Sequence, residues 1–411
     1  MLAFLLCLGS PRGVAADDTD WTRFRGPAGQ GVSEVAFPTE WTAADYEWQR
    51  DLPGRGHSSP VAFGQTLYVT TATNYGRRSL FALDLTTGDT QWERTIDLPS
   101  THLHSKNSPA SGSPAVDAER VYVPVASADR FLLVAYSHDG EPLWQADLGR
   151  FDSQHGPGSS PVVVGDLVIV PSYQLGPSRV FGIEATTGEI RWTSERGDRR
   201  AAYASAMPLP GRDDAVVLLS GSEGVVALDV ESGRELVKTG EMPMRVVASP
   251  AFVPPPTFAN GAVIITCGSG GSGKMMQAWE LIPPGDGSSD WSAAKRWERT
   301  QVIPYVPTPL VSDGLLYLWN DGGVVCCVDP KDGRDIWRQR IGGKFTGSPI
   351  IAGDAIYCMS ETGEVAVVAT GQTFEAFGGG PLGEGSHATP VVAGDRLILR
   401  HFGGVASLKA R

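Results

Sequence analysis

Short apolar runs alternate with turn-forming residues along almost the whole chain. Runs such as "TLYVT" (66–70) and "LVIVP" (167–171) have the length and β-branched content of buried strands. Gly-Asp or Thr-Gly pairs lie next to these runs. Such pairs reverse the chain, because glycine accepts a positive φ and the side chain of Asp or Thr forms a hydrogen bond with its own backbone. The pattern predicts an all-β protein built from hairpins.

The same unit recurs eight times, and each copy contains a proline just before its first apolar run. These marker prolines are Pro60, Pro114, Pro161, Pro208, Pro250, Pro309, Pro349 and Pro390, spaced 40 to 59 residues apart. That period is close to one four-stranded propeller blade. The fifth unit has the least certain borders, because "PPPTFANG" and "PPGDGSSDWSAAKR" interrupt it.

A large aromatic ring is predicted on the fourth strand of most units, where it fills the wedge between neighbouring blades. The predicted rings are Trp92, Trp144, Trp192, Trp297, Trp337 and Phe377. The eighth unit ends at Arg411 without a fourth strand. The segment "YEWQRDL" (46–52), with Trp48 at the tryptophan position, resembles the missing strand.

These features predict one eight-bladed β-propeller over residues 41–411, with its last blade closed by an N-terminal strand. A pair of β-sandwiches or a solenoid is the alternative. A solenoid needs capping ends and has no use for a missing strand that reappears at the other terminus.

The ends and the composition narrow the class of protein. The formal charge of −12 and the absence of a long basic run argue against nucleic acid as the main partner. Residues 1–16 resemble a secretory signal peptide, and 17–40 form an N-terminal arm. A lipoprotein signal fits less well, since Leu6 precedes Cys7. We therefore expect an exported monomer, periplasmic or on the cell surface, with no transmembrane segment.

Four cysteines remain after the predicted cleavage. They are Cys267, Cys326, Cys327 and Cys358, and none has the spacing of a zinc site. The adjacent pair lies in a predicted strand, where successive side chains point to opposite faces, so we interpret both as buried thiols. A bridge from one of them to Cys358 is the alternative.

The repeats "ALDLTTGDTQW" and "IEATTGEIRW" resemble those of the pyrroloquinoline-quinone (PQQ) propeller superfamily, and the resemblance covers residues 41–411. The arm "WTRFRGPAGQGVS" (21–33) is similar to exported bacterial PQQ-like repeat proteins. The superfamily includes quinoprotein alcohol dehydrogenases and BamB-like scaffolds that bind no quinone. The resemblance therefore implies the fold strongly and the function weakly.

The Gly-Asp and Thr-Gly turns are expected on one face of the propeller. The opposite face, which we call the variable-loop face, should carry the loops and crossings that differ between units. Candidate binding residues on this face are aligned by their distance from each marker proline. Five positions before it are Arg55, Tyr203, Arg245 and Lys344; three before are His57 and His387; six before are His155 and Glu384. A ring of basic and phenolic groups at the channel mouth would suit a small anionic ligand. The alternative is that these groups line a wet channel and pair with nearby carboxylates.

The resemblance also raises a catalytic alternative, a PQQ-dependent dehydrogenase with Arg55, Arg245 and Lys344 on the quinone carboxylates. Such enzymes hold Ca²⁺ with several oxygen ligands, and the aligned positions offer only Glu384 and Asn107. Two weaker motifs are interpreted as loops. "CGSGGSGKMM" (267–276) lacks the phosphate-loop ending and should expose Lys274, and His102 and His104 lack a third metal ligand.

We therefore expect a non-catalytic binding or scaffolding propeller, without cofactor or metal. Its partner would be a protein or a small anionic ligand.

Overall fold

The computed structural model describes residues 20–73, 75–99, 103–197, 200–212, 215–270, 272–285 and 290–411. The predicted signal peptide and His102 lie outside these residues. The described residues form eight sheets arranged as blades, together with one 3₁₀ helix, Ala43–Asp45, which is capped by Thr42. The predicted eight-bladed all-β propeller is confirmed.

Each blade contains four antiparallel strands that run from the channel outward. The N-terminal segment supplies β1 (Val32–Ser33) and β2 (Trp48–Asp51). Blades one and two comprise β3 (Val61–Phe63), β4 (Thr66–Ala72), β5 (Arg77–Asp84), β6 (Thr90–Asp97), β7 (Ala115–Val116), β8 (Arg120–Ala126), β9 (Phe131–Ser137) and β10 (Pro142–Asp147). Blades three and four comprise β11 (Val162–Val164), β12 (Leu167–Ser172), β13 (Ser178–Glu184), β14 (Ile190–Arg196), β15 (Met207–Pro208), β16 (Val216–Gly221), β17 (Gly224–Asp229) and β18 (Glu235–Lys238).

The remaining blades follow the same plan. Blades five and six comprise β19 (Ala251–Val253), β20 (Ala262–Cys267), β21 (Met275–Ile282), β22 (Ser292–Arg299), β23 (Leu310–Ser312), β24 (Leu315–Trp319), β25 (Val324–Val328) and β26 (Asp335–Arg340). Blades seven and eight comprise β27 (Ile350–Ala352), β28 (Ala355–Met359), β29 (Glu364–Ala369), β30 (Gly380–Pro381), β31 (Val391–Ala393), β32 (Arg396–His401) and β33 (Gly404–Lys409).

Tryptophans join neighbouring blades, as the repeat predicts. The Trp92 indole Nε1 donates to the carbonyl of His138 in the next blade at 2.8 Å. The same bond is made by Trp48, Trp144, Trp192, Trp297 and Trp337 to the following blade. The Trp48 indole ring also covers a glycine in a turn of the following blade. At Gly88, where φ is 72°, an added Cβ would lie 2.6 Å from the Trp48 ring. Phe377 packs into the hydrophobic cluster that blades seven, eight and one share.

The ring closes where the sequence predicts. Strand β2 pairs antiparallel with β33, with Trp48 opposite Ser407 and Asp51 opposite Gly404. This N-terminal strand is the fourth strand of blade eight. Because the first part of the chain completes the last sheet, the seam between blades eight and one is held by a full strand ladder.

The N-terminal arm lies across the end of the channel formed by the short repeated turns. Its strand β1 pairs parallel with β27, the inner strand of blade seven. At the arm's start Trp21 pairs with Ala62 in blade one, and the Gln30 side chain accepts from the Phe252 N–H in blade five at 3.2 Å. Contacts to blades this far apart in the ring mean that the arm closes this end of the channel.

All four described cysteines are free and buried. Cys326 packs between blades five and six, whereas Cys327 packs with Cys358 between blades six and seven. The prediction of buried thiols is confirmed, and the alternative bridge to Cys358 is not formed. Burial raises the pKa of both adjacent thiols to about 11, so they stay protonated at neutral pH.

Candidate functional site

A closed ring of hydroxyl groups surrounds the channel, and we call these eight residues the hydroxyl collar. Its members are Ser59, Ser113, Ser160, Ser205, Ser249, Thr308, Ser348 and Thr389, one from each blade. Each side-chain oxygen accepts the backbone N–H of the member in the preceding blade at 2.8–3.1 Å, and Ser59 accepts from Thr389 to complete the circle. The collar therefore links all eight blades at the axis.

The collar corrects the alignment of blade four. In seven blades the collar residue directly precedes the marker proline, but in blade four it is Ser205, followed by Ala206. Pro208 lies two residues further on, inside β15. Tyr203 is therefore three positions before the equivalent site, not five as predicted, and shares the level of His57 and His387. A hydroxyl that accepts a neighbour's N–H fixes this register more strictly than a proline does.

A cavity of about 590 Å³ lies above the collar and opens on the variable-loop face. Phe24 of the arm lines it from the arm side, and all eight collar residues line it. The next layer is the residue two positions before each collar member: His57, Ser111, Gly158, Tyr203, Val247, Val306, Thr346 and His387. The channel is thus a blind pocket that can be entered from the variable face.

Four of the six predicted ligand-binding residues line this cavity: His57, Tyr203, Arg245 and His387. Arg55 and Lys344 do not. The Arg55 guanidinium pairs with Glu384 at 2.6 Å and lies over the Phe402 ring at 4.9 Å, and Lys344 is exposed. Of the three predicted residues at the level five positions before the proline, with blade four realigned, Arg245 alone lines the cavity, so this level does not converge on the channel as predicted. A ligand role for the six residues remains a prediction.

His57 and His387 meet across the seam between blades eight and one. Their Nδ1 atoms are 3.4 Å apart and their rings pack edge to face at 4.5 Å. Burial, with the positive fields of His387, Arg400 and Arg55, lowers the pKa of His57 to about 3. The pKa of His387 is also lowered, mainly by burial. Both imidazoles are neutral at neutral pH.

A second polar cluster lies on the far side of the mouth. The Arg245 Nη1 lies 2.7 Å from the Nε2 of His155, which packs edge to face on His104. The Tyr203 hydroxyl lies 2.7 Å from the hydroxyl of Ser153. Burial first, and then the Arg245 charge, lower the pKa of His155, so this ring also accepts from the guanidinium as a neutral group.

The other cations that line the cavity are neutralised. Lys274 Nζ pairs with Asp321 at 3.0 Å, and Lys106 Nζ pairs with Glu361 at 2.6 Å. The expectation that Lys274 is exposed is wrong, because this cross-blade pair draws it into the cavity wall. Sequence reasoning missed Lys106, Asp321 and the collar. A Ser or Thr before seven of the marker prolines was the available signal.

The residues present do not fit a Ca²⁺–quinone centre. Ca²⁺ takes six to eight oxygen ligands, most often carboxylates. Asp321 is the one carboxylate among the described residues that line the cavity, and it already binds Lys274 and accepts the Tyr305 N–H at 2.9 Å. Glu384 is paired with Arg55, and the Asn107 amide donates to the carbonyl of Pro157. No group of three metal-ligating side chains occurs in the described segments.

The fold and the ring of repeats define the class as a PQQ-like eight-bladed propeller. A profile of the family described as outer membrane protein assembly factor BamB matches residues 39–112, 105–281 and 280–411. The chain belongs to this family. The described residues contain no helix with the length and apolar character that a membrane span requires.

Individual relatives agree with the family. The BamB of Burkholderia pseudomallei is 26% identical over 370 residues, which are 87% of this chain and 85% of that protein. The BamB of Yersinia pestis is 27% identical over 229 residues, so that match spans about half of each chain, 53% and 54%.

Solved structures show the same fold. BamB from Moraxella catarrhalis superimposes with a TM-score of 0.64 at 14% identity, covering 89% of this chain and 99% of that one. The quinohemoprotein alcohol dehydrogenase of Comamonas testosteroni gives a TM-score of 0.63 at 14% identity, covering 96% and 82%. Since a BamB and an alcohol dehydrogenase match almost equally, the fold leaves the function open.

Proposed function

We propose that this chain is an exported, non-catalytic propeller that binds or scaffolds a protein partner through its variable-loop face. Membership of a family described as an outer membrane protein assembly factor supports both export and a protein partner. The observation that carries the proposal is the chemistry of the channel. Asp321, the one carboxylate among the described residues that line the channel, is bound by Lys274 and by backbone N–H groups. The buried histidines of the channel, such as His57, are neutral at neutral pH.

The two faces differ in what they can offer a partner. One face carries repeated short turns, such as the one where Asp84 accepts the N–H groups of Thr86 and Thr87. The other carries crossings and loops that differ in every blade, and here Tyr75 is 96% exposed. Binding residues usually sit on loops held by a rigid scaffold, and exposed aromatic side chains are frequent anchors at interfaces.

The test is photo-crosslinking in cells with p-benzoylphenylalanine at Tyr75, and at Lys331 on the turn face as the matched control. The proposal expects a discrete crosslinked band from position 75 in the cell-envelope fraction, and none from position 331. Crosslinks from position 331 alone, or protein found only in the cytoplasm, would contradict it.

The likeness to a quinohemoprotein alcohol dehydrogenase keeps one enzymatic alternative in view. Purified protein incubated with PQQ and Ca²⁺ should show neither a stoichiometric quinone absorption band nor dye-linked alcohol oxidation. A bound quinone with turnover would replace the binding role with an oxidoreductase.

A further inference from the structure

The hydroxyl collar presents hydrogen-bond donors for which the described segments supply no acceptor. A hydroxyl has one O–H donor besides its acceptor lone pairs. Each collar oxygen accepts one backbone N–H, yet none of the eight hydroxyls donates to any group within the described segments. All eight are buried and line the cavity. Eight O–H donors therefore face the channel at a single level.

Above the collar, the Arg245 charge has no carboxylate partner among the residues that the structure describes. No carboxylate of the described chain lies within 4.0 Å of the Arg245 guanidinium, whereas Lys106 and Lys274 both have one. Arg245 interacts instead with the neutral His155 and with the Gln154 side-chain oxygen at 3.3 Å. An arginine fork in a partly buried cavity is well suited to an oxyanion.

Below the collar lies a second positive charge. Arg25 of the arm is 1% exposed, and it donates to the carbonyls of Pro309 and Pro349 at 3.0 and 3.1 Å. These two prolines directly follow the collar members Thr308 and Ser348. No salt bridge to Arg25 occurs among the described residues, so its field is offset by carbonyl dipoles alone. Two guanidinium groups without a carboxylate partner among the described residues thus lie on either side of the collar hydroxyls, Arg25 below and Arg245 above.

We propose that the channel binds a small oxyanion, of the carboxylate or sulfate type, on the axis between the collar and Arg245. Oxyanions supply acceptors only, which matches a wall of O–H and guanidinium donors. A metal dication would meet two positive charges, and a neutral polyol would bring donors that find few acceptors. A volume of about 590 Å³ admits one small ligand. This site is separate from protein docking on the loops and does not depend on it.

Isothermal titration of the purified chain with sulfate, malonate and neutral malonamide, at fixed ionic strength, tests the proposal. We expect saturable one-site binding of at least one anion and none of malonamide. Arg245→Gln should weaken anion binding by about tenfold or more, since a charge-assisted fork is lost. Arg130→Gln is the matched control because Asp147 already pairs with Arg130 at 2.9 Å in a loop on the same face, and it should stay within about twofold of wild type.

A second pair of variants tests the collar. Ser160→Thr keeps the hydroxyl, as blades six and eight do naturally, and should keep binding; Ser160→Ala should weaken it. Arg245→Lys keeps the charge, and its anion affinity should lie between those of wild type and Arg245→Gln. It replaces Arg245→Gln if that variant does not fold. Binding of sulfate alone identifies a tetrahedral anion and binding of malonate alone a carboxylate; either result supports the proposal. No saturable binding of either anion, equal binding of malonamide, or unchanged affinity in Arg245→Gln overturns it.

Discussion

The buried histidine at the closure seam predicts that acid destabilises the fold. His57 has a folded-state pKa of about 3 against an ordinary value of 6.5, because burial and neighbouring cations disfavour its charged form. The unfolded chain binds this proton more readily, so stability is present above the ordinary pKa and is lost as the pH falls below it. Between pH of about 7.5 and about 5, the loss from His57 alone is about 2 kcal/mol.

The other titratable and charged groups near His57 determine how much further unfolding free energy is lost over the same pH range. His387 faces it, Lys106 and Glu361 form a pair beside them, and Arg400 is buried with its Nη1 on the Ser58 hydroxyl at 2.8 Å. The pKa of His387 is lowered as well, so wild type should lose more than the His57 share. Burial lowers the pKa of Arg400 to about 9, so this guanidinium stays charged over the range and the histidines carry the acid dependence.

Urea unfolding followed by tryptophan fluorescence at the two pH values measures the effect. His57→Gln removes the titrating group and should reduce the pH-dependent loss of unfolding free energy by about 2 kcal/mol relative to wild type. The absolute stability of the variant does not matter, because each protein is compared with itself. Equal losses of unfolding free energy in His57→Gln and wild type between the two pH values would show that His57 does not carry the acid dependence.

Three further predictions concern the ring. Ser113→Ala leaves the buried N–H of Ser59 without an acceptor and should cost about 1–3 kcal/mol, whereas Ser113→Thr should cost little; urea unfolding separates the two. Trp92→Ala removes the ring that packs on the next blade and should cost about 3 kcal/mol, with Trp92→Phe intermediate; equal midpoints would contradict the wedge role. Gly88→Ala places a Cβ at positive φ, 2.6 Å from Trp48, and should lower stability by more than about 1 kcal/mol; an unchanged thermal midpoint would contradict the close contact between blades eight and one.

The repeat makes most of the fold predictable. Eight copies of one unit indicate eight blades, and a last unit without its fourth strand indicates closure by residues 46–52. Local rules account for this, since period-two strands and glycine turns act within a few residues. The seam confirms it, with Trp48 opposite Ser407. The position of the arm is not predictable in this way, because a segment outside the repeats has no aligned copy to show where it packs.

The site is less predictable, because its decisive contacts join different blades. The pairing of Lys274 with Asp321 spans 47 residues, and no local pattern indicates it. In blade four the predicted alignment is shifted by two residues, because it is anchored on Pro208. The residue equivalent to the other collar members is Ser205, which takes part in the same circle of hydrogen bonds. The bonds of Arg25 to the Pro309 and Pro349 carbonyls are likewise not predictable, because they depend on where the arm packs.

A crystal structure of the chain grown with selenate, an oxyanion whose selenium scatters anomalously, would locate an anion in the channel directly. We expect an anomalous peak on the channel axis, within hydrogen-bond distance of the collar hydroxyls and facing the Arg245 guanidinium. A channel without such a peak, with selenate only at exposed lysines or arginines, would contradict it.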